Sequence, residues 1–189
     1  MAISSVLKLC AAALLLGGTL GNTVQAKADA MPATTHLDSI VVGAGCFWGV
    51  EKRFEAMPGV IDAVSGYADG NDVQPSYRVI TQKRHQFNPN NHAEVVKISF
   101  NPAVISLDTL LKRYFEMHDP TQLNRQGNDI GTQYRSIILT NSQAQADTAQ
   151  QVQAAYQPLL NQAGYGAITT QIKPLREFFP AEQYHQDYI

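Results

Sequence analysis

Cysteine is nearly missing from this chain of 189 residues: Cys10 and Cys46 are the only two. Cys10 lies inside an apolar N-terminal run, so a chain that loses that run keeps Cys46 alone and has no internal disulfide to form. The five histidines, His36, His85, His92, His118 and His185, show no metal-ligand spacing and no supporting cysteines, so no metal site is expected. No P-loop and no Gly-x-Gly-x-x-Gly motif occurs, which removes the usual phosphate cradles. Charge of one sign is also lacking. The formal net charge is −2 and the densest basic cluster is Lys83-Arg84-His85, so no nucleic-acid surface is predicted. Only one long apolar run exists, Leu9 to Gly18, and it is too short to span a bilayer.

What is present at the N-terminus resembles an export signal. Lys8 supplies a positive flank, Leu9 to Gly18 an apolar centre, and Val24-Gln25-Ala26 a small-x-small cleavage pattern. The expectation is a signal peptide over 1–26, with cleavage as late as 30. A flexible lead-in over 27–38 and one catalytic domain over 39–189 follow. The mature protein is then a periplasmic or secreted monomer without stable membrane insertion, and an uncleaved anchor is the alternative.

From Ser39 the hydrophobic patterns alternate in period. Ile40-Val41-Val42 reads as a buried strand, and Phe47, Val50, Phe54 and Met57 recur on one helical face closed by Pro58-Gly59. Val60 to Ser65 is a second strand ended by Gly66 to Gly70, Gln82 to Asn91 a polar loop, and Ala93 to Phe100 a third strand. Ser106 caps a helix bearing Leu107, Leu110, Leu111, Tyr114 and Phe115. Arg135 to Thr140 is a fourth strand, Ser142 to Gln162 a third helix and Ala167 to Leu175 a last strand. The order β-α-β-β-α-β predicts an α+β fold, a ferredoxin-like split βαβ two-layer sandwich with an added helix and strand.

Cys46 sits between that first strand and first helix, in Gly45-Cys46-Phe47-Trp48-Gly49. A helix N-terminus favours thiolate, adjacent aromatics wall a pocket, and flanking glycines admit a substrate, so Cys46 reads as a nucleophile. The competing assignment is a small buried packing residue. Glu94 shares the strand face of Val96, Ile98 and Phe100, where desolvation raises a carboxyl pKa and makes a general acid. A frayed strand end with Glu94 in water is its alternative. The glycine-punctuated segment Arg125 to Arg135 holds Asp129 and Tyr134 as hydrogen-bonding candidates, and Tyr77 is a third, although each is equally ordinary by type. A hydrolase pairing of Cys46 with His92 or His118 also remains open.

Taken with their neighbours, these residues resemble the A-type peptide methionine sulfoxide reductases. The likeness rests on Gly45-Cys46-Phe47-Trp48-Gly49, Pro75-Ser76-Tyr77, His92-Ala93-Glu94-Val95-Val96 and Phe115-Glu116-Met117-His118-Asp119-Pro120. It continues through Gln126-Gly127-Asn128-Asp129, Gly131-Thr132-Gln133-Tyr134-Arg135-Ser136 and Pro180-Ala181-Glu182-Gln183-Tyr184-His185-Gln186-Asp187-Tyr188. The resemblance implies that Cys46 attacks the sulfur of an S-configured methionine sulfoxide, free or in proteins, while Glu94 protonates the oxygen. It implies that Phe47 and Trp48 hold the ε-methyl group, that Tyr77 and Tyr134 hydrogen-bond the oxygen, and that Asp129 orients the site. The product is a Cys46 sulfenic acid. No bound cofactor is implied.

Two departures from the family pattern stand out. Lys83 to Asn91 is longer than the usual short turn, with Asn91 where glycine is common. The chain also reaches Ile189 without the glycine-rich, cysteine-bearing tail of many members. The expectation is therefore one-cysteine catalysis recycled by an external thiol: thioredoxin-like, glutaredoxin-like or glutathione. A thiol peroxidase or redox sensor on the same scaffold, and a non-catalytic binder of oxidised methionine peptides, are the rival readings.

Overall fold

The computed structural model describes residues 36–188. In chain order the elements are β1 (Asp38–Gly43), α1 (Phe47–Glu55), β2 (Val60–Ala68), the single turn α2 (Tyr77–Ile80), β3 (Ala93–Phe100) and α3 (Leu107–Glu116). A short hairpin of β4 (Arg125–Gln126) and β5 (Asp129–Ile130) precedes β6 (Ile137–Thr140), α4 (Gln143–Gln162), β7 (Gln171–Pro174) and β8 (Phe178–Pro180). The main sheet runs β7-β6-β1-β3-β2-β8. All its pairings are antiparallel except β6 with β7. The inner four strands have the split βαβ order predicted from the periodicities; α4 and β7 extend one edge and β8 the other.

The unbroken apolar run of β1 reflects burial on both faces. Ile40 and Val42, with Val96, Ile98 and Phe100 of β3, share a core with Phe47, Val50 and Phe54 of α1 and Leu110, Leu111 and Tyr114 of α3. Each fully buried aliphatic side chain there contributes about 1.5–3 kcal/mol. Val41, Val95, Ile137 and Leu139 form a smaller cluster with Leu175 and Phe178. Helix starts follow their caps: Ser106 Oγ accepts from the Thr109 N–H at 3.1 Å and Ser142 Oγ from the Gln145 N–H at 3.2 Å.

Several boundaries differ from the sequence expectation. β2 continues through Gly66, which pairs with both Val95 and Pro180, because the Phe178 ring lies where a Cβ would be. Glycine here is a close-approach residue and not a turn signal. The fourth strand begins at Ile137, since Thr132–Tyr134 form a 3-10 turn and the buried Arg135 side chain turns to Asp69, at 3.0 Å, and to the Asn91 carbonyl, at 3.0 Å. The last predicted strand shortens to Gln171–Pro174. The predicted signal peptide and the lead-in through residue 35 lie outside the described residues. Among the described residues no helix is long and apolar enough to cross a membrane.

Candidate active site

The turn from β1 into α1 is pinned from two sides. The buried Tyr114 O–H donates to the Gly43 carbonyl at 2.9 Å. Gly45 adopts φ +94°, and a Cβ there would lie 2.7 Å from Cβ of Gln126, so this position needs glycine twice over. Cys46 follows as the N-cap of α1, with φ −55° and ψ 122°. Its thiol is half-buried, and it is the free cysteine among the described residues.

The thiol does not have the lowered pKa that a helix N-terminus alone would confer. Burial pushes it up, the negative charges of Glu94 and Asp129 push it further, and the N–H groups of Trp48 and Gly49 only partly offset them. Desolvation and like charge outweigh the dipole. The resting group is a thiol.

Glu94, the second residue of β3, explains much of that balance. It is 1 % exposed, on the same sheet face as Val96, Ile98 and Phe100. The Phe47 N–H donates to its Oε2 at 3.2 Å, while Oε1 is buried with no protein partner. Burial, reinforced by Asp129, pushes the carboxyl up to about 8 against the pull of the Phe47 N–H. At neutral pH it is a carboxylic acid, and a neutral acid no longer opposes ionisation of Cys46.

Tyr77 of α2, Asp129 of β5 and Tyr134 share an open cavity of about 350 Å³ with Thr81, Lys83 and Gln86. Both phenols are held above their ordinary pKa by burial first and the Glu94 charge second, so they remain O–H donors. Cys46 also raises Tyr77, and Asp129 raises both tyrosines, Glu94 and Cys46, which places these groups in one electrostatic cluster. The structure thus brings Cys46, Glu94, Tyr77, Asp129 and Tyr134 together.

The two aromatics after Cys46 have different fates. Phe47 is 1 % exposed, its ring 5.9 Å from Tyr67 and 5.1 Å from His185 between centroids. Trp48 is half-buried, stacks on Tyr188 at 3.8 Å and donates its indole N–H to His185 Nδ1 at 3.0 Å. Burial lowers the His185 pKa, so the ring is neutral and carries its proton on Nε2, which is buried without a protein partner.

Sequence reasoning did not assign roles to His185, Tyr188, Glu182 or Glu51. Glu182 accepts from the Tyr77 N–H at 3.1 Å and the Tyr67 O–H at 2.6 Å, tying α2 to the sheet. Glu51 accepts from the Asp187 N–H at 2.5 Å, the Ser65 N–H at 3.0 Å and the Ser65 hydroxyl, clamping the C-terminal segment against α1. A signal for Glu51 existed, since an acid beside Val50 and Phe54 on an apolar helix face is as unusual as Glu94 on its strand. Glu51, Glu55 and Asp187 form the one cation-type cluster among the described residues, and Glu51 is already engaged by these donors. The proposed hydrolase bases are engaged elsewhere. His92 accepts from the Gly70 N–H at 3.2 Å and bonds the Asp72 carbonyl at 2.7 Å. His118, pushed down to about 4 by burial, bonds the Tyr114 carbonyl and Ser136 Oγ, both at 2.8 Å.

Comparison with known proteins decides the family. The family model described as peptide methionine sulfoxide reductase matches residues 38–189. The chain belongs to this family. It is 48 % identical over 159 residues to the peptide methionine sulfoxide reductase MsrA of Agrobacterium fabrum, covering 84 % of this chain and 71 % of that one. Methionine sulfoxide reductase A of Corynebacterium diphtheriae superposes with a TM-score of 0.74 at 42 % identity, covering 80 % of this chain and 73 % of that one. Mxr1 of Saccharomyces cerevisiae, solved in complex with Trx2, does so with a TM-score of 0.56 at 26 % identity, over 82 % and 87 % of the two chains. This reductase converts methionine sulfoxide to methionine, the chemistry of protein repair.

Proposed function

We propose that Cys46 carries the reduction and that Glu94 supplies the proton, acting on the S-epimer of methionine sulfoxide. The observation that supports this most is the 3.2 Å bond from the Phe47 N–H to Glu94 Oε2, which sets a neutral acid beside the residue that follows the thiol. The Cys46 sulfur attacks the sulfoxide sulfur, and the oxygen passes to cysteine as a hydroxyl whose proton comes from Glu94. The proton released by the thiol restores the Glu94 acid. Cysteine sulfur is oxidised by two electrons to sulfenic acid and the substrate sulfur is reduced by two to a thioether. Tyr77 and Tyr134, as O–H donors, stabilise charge developing on the oxygen. Phe47 and Trp48 form the apolar wall for the ε-methyl group, and Asp129 orients the site. A methyl on one wall and an oxygen on the other admit one epimer.

Two thiol equivalents then return the sulfenic acid to thiol with release of water. The solved complex of yeast Mxr1 with Trx2 supports a thioredoxin-like donor for this chain as well. The leader pattern around Leu9 to Gly18 supports export, so the donor is one available outside the cytoplasm. The mature enzyme acts as a monomer. Assay of separated sulfoxide epimers with dithiothreitol tests the core of this reading: turnover of the S-epimer supports it, and inactivity of folded protein on that epimer refutes it. N-terminal sequencing of protein recovered from the producing cell tests export, with a start between residues 27 and 31 as the supporting result.

A further inference from the structure

The extended segment between α2 and β3 is built into the active site. Asn91, which ends this segment, is buried and donates from Nδ2 to the Ile80 carbonyl at 2.9 Å. Further along, the Thr132 N–H donates to the Gln86 carbonyl at 2.8 Å and the Thr132 hydroxyl to the His85 carbonyl at 3.1 Å. Gln86 Nε2 returns a bond to the Ile130 carbonyl at 3.2 Å. These bonds fasten the segment to the stretch that carries Asp129 and Tyr134.

Lys83 opens a 3-10 turn in this segment and lines the same cavity as Tyr77, Asp129 and Tyr134. Of the nine residues lining it, Lys83 alone is cationic and Asp129 alone anionic. The cationic neighbour Arg84 is turned to His85, donating to its Nε2 at 3.2 Å. At about 350 Å³ the cavity is at the small end of ligand pockets, which run from about 300 to 1,000 Å³. That is room for what is attached to the sulfoxide side chain, not only for its oxygen.

We propose that Lys83 is a specificity-determining residue that recognises a carboxylate flanking the sulfoxide. The carboxylate is either the α-carboxylate of free or C-terminal methionine sulfoxide or an acidic side chain beside it in a peptide. The inference rests on the reading above, which places the sulfoxide oxygen at Glu94, Tyr77 and Tyr134. With the oxygen held there, the rest of the substrate leaves along the cavity past Lys83. Asp129 repels a carboxylate at its own end and so biases it toward the Lys83 end.

The test compares three S-sulfoxides with dithiothreitol as reductant: the N-acetyl methylamide of methionine sulfoxide, the N-acetyl acid, and an N-acetylated, C-amidated methionine sulfoxide–glutamate dipeptide. Wild type, Lys83→Gln, Lys83→Arg and Lys83→Glu are each assayed. Wild type is expected to favour at least one carboxylate substrate over the methylamide by about fivefold in kcat/KM, expressed in KM, the size of effect that an exposed ammonium–carboxylate pair reaches at its upper end. Preference for the acid alone identifies the α-carboxylate, and preference for the dipeptide identifies the side chain. The preference should shrink between 0.01 M and 0.15 M salt, as the screening length falls from about 30 to about 8 Å. Lys83→Arg should keep it, Lys83→Gln lose it and Lys83→Glu reverse it. Equal kcat/KM on all three substrates in wild type, or an undiminished preference in Lys83→Gln, overturns the assignment of Lys83 alone. Failure of wild type to turn over even the methylamide overturns the underlying reading with it.

Discussion

The backbone N–H of Phe47 donates to Oε2 of Glu94 across 3.2 Å, joining the first residue of α1 to the second residue of β3. One peptide group therefore links the nucleophile's neighbour to the acid. The same bond lowers the acid's pKa somewhat, but burial dominates and leaves the carboxyl at about 8. Thiol and acid both rest neutral, so the reaction starts without a buried charge to desolvate.

Activity should follow the protonated form of Glu94. The acid is present below about 8 and is lost as pH rises through that value, so kcat/KM should fall on the alkaline side with a midpoint near there. Glu94→Gln keeps the shape and the acceptor for the Phe47 N–H but has no proton to give. Its rate should drop by about 100-fold or more, typical for loss of a general acid, and the alkaline limb should vanish. A pH–rate profile of both proteins checks this.

Stability should carry the same signature. With the folded pKa near 8 and the unfolded value at 4.5, the folded chain holds a proton that the unfolded chain releases. The contribution is fully present below 4.5 and is lost as pH rises through about 8. The stability of Glu94→Gln relative to wild type, from urea unfolding, should therefore increase across that window and then level off.

Glu51 should control the geometry of the aromatic wall. Glu51→Ala removes the acceptor of the Asp187 N–H and of the Ser65 hydroxyl, leaves the Ser65 N–H to Gln186 Oε1 alone, and should destabilise the fold by about 1–3 kcal/mol. It should also release the segment carrying His185 and Tyr188, raising KM. Trp48 is the only tryptophan, so its emission should shift to longer wavelength as Tyr188 unstacks. Glu51→Gln, which retains an acceptor oxygen, should restore part of both effects.

Periodicity made the inner sheet and its helices legible, because strand alternation and helical spacing are local properties of the chain. Glu94 was legible for the same reason, as a carboxyl out of place on an apolar strand face. β8 was not, since a three-residue strand exists only through its sequence-distant partner β2, and the β4–β5 hairpin was not, since two residues per strand carry no alternation to read. The Cys46 thiol shows the same limit. Its place at a helix start can be read locally, whereas the burial and the Glu94 charge that reverse the expected shift come from the folded chain. His185 stands 137 residues from Trp48, and only the fold joins them.

A single turnover without reductant shows whether Cys46 itself takes the sulfoxide oxygen. Enzyme mixed with excess S-configured methionine sulfoxide should release one equivalent of methionine and retain one added oxygen, located by mass spectrometry on Cys46, while Cys46→Ser should release none. Methionine release from Cys46→Ser, or an oxygen found on any other residue, would rule out Cys46 as the nucleophile.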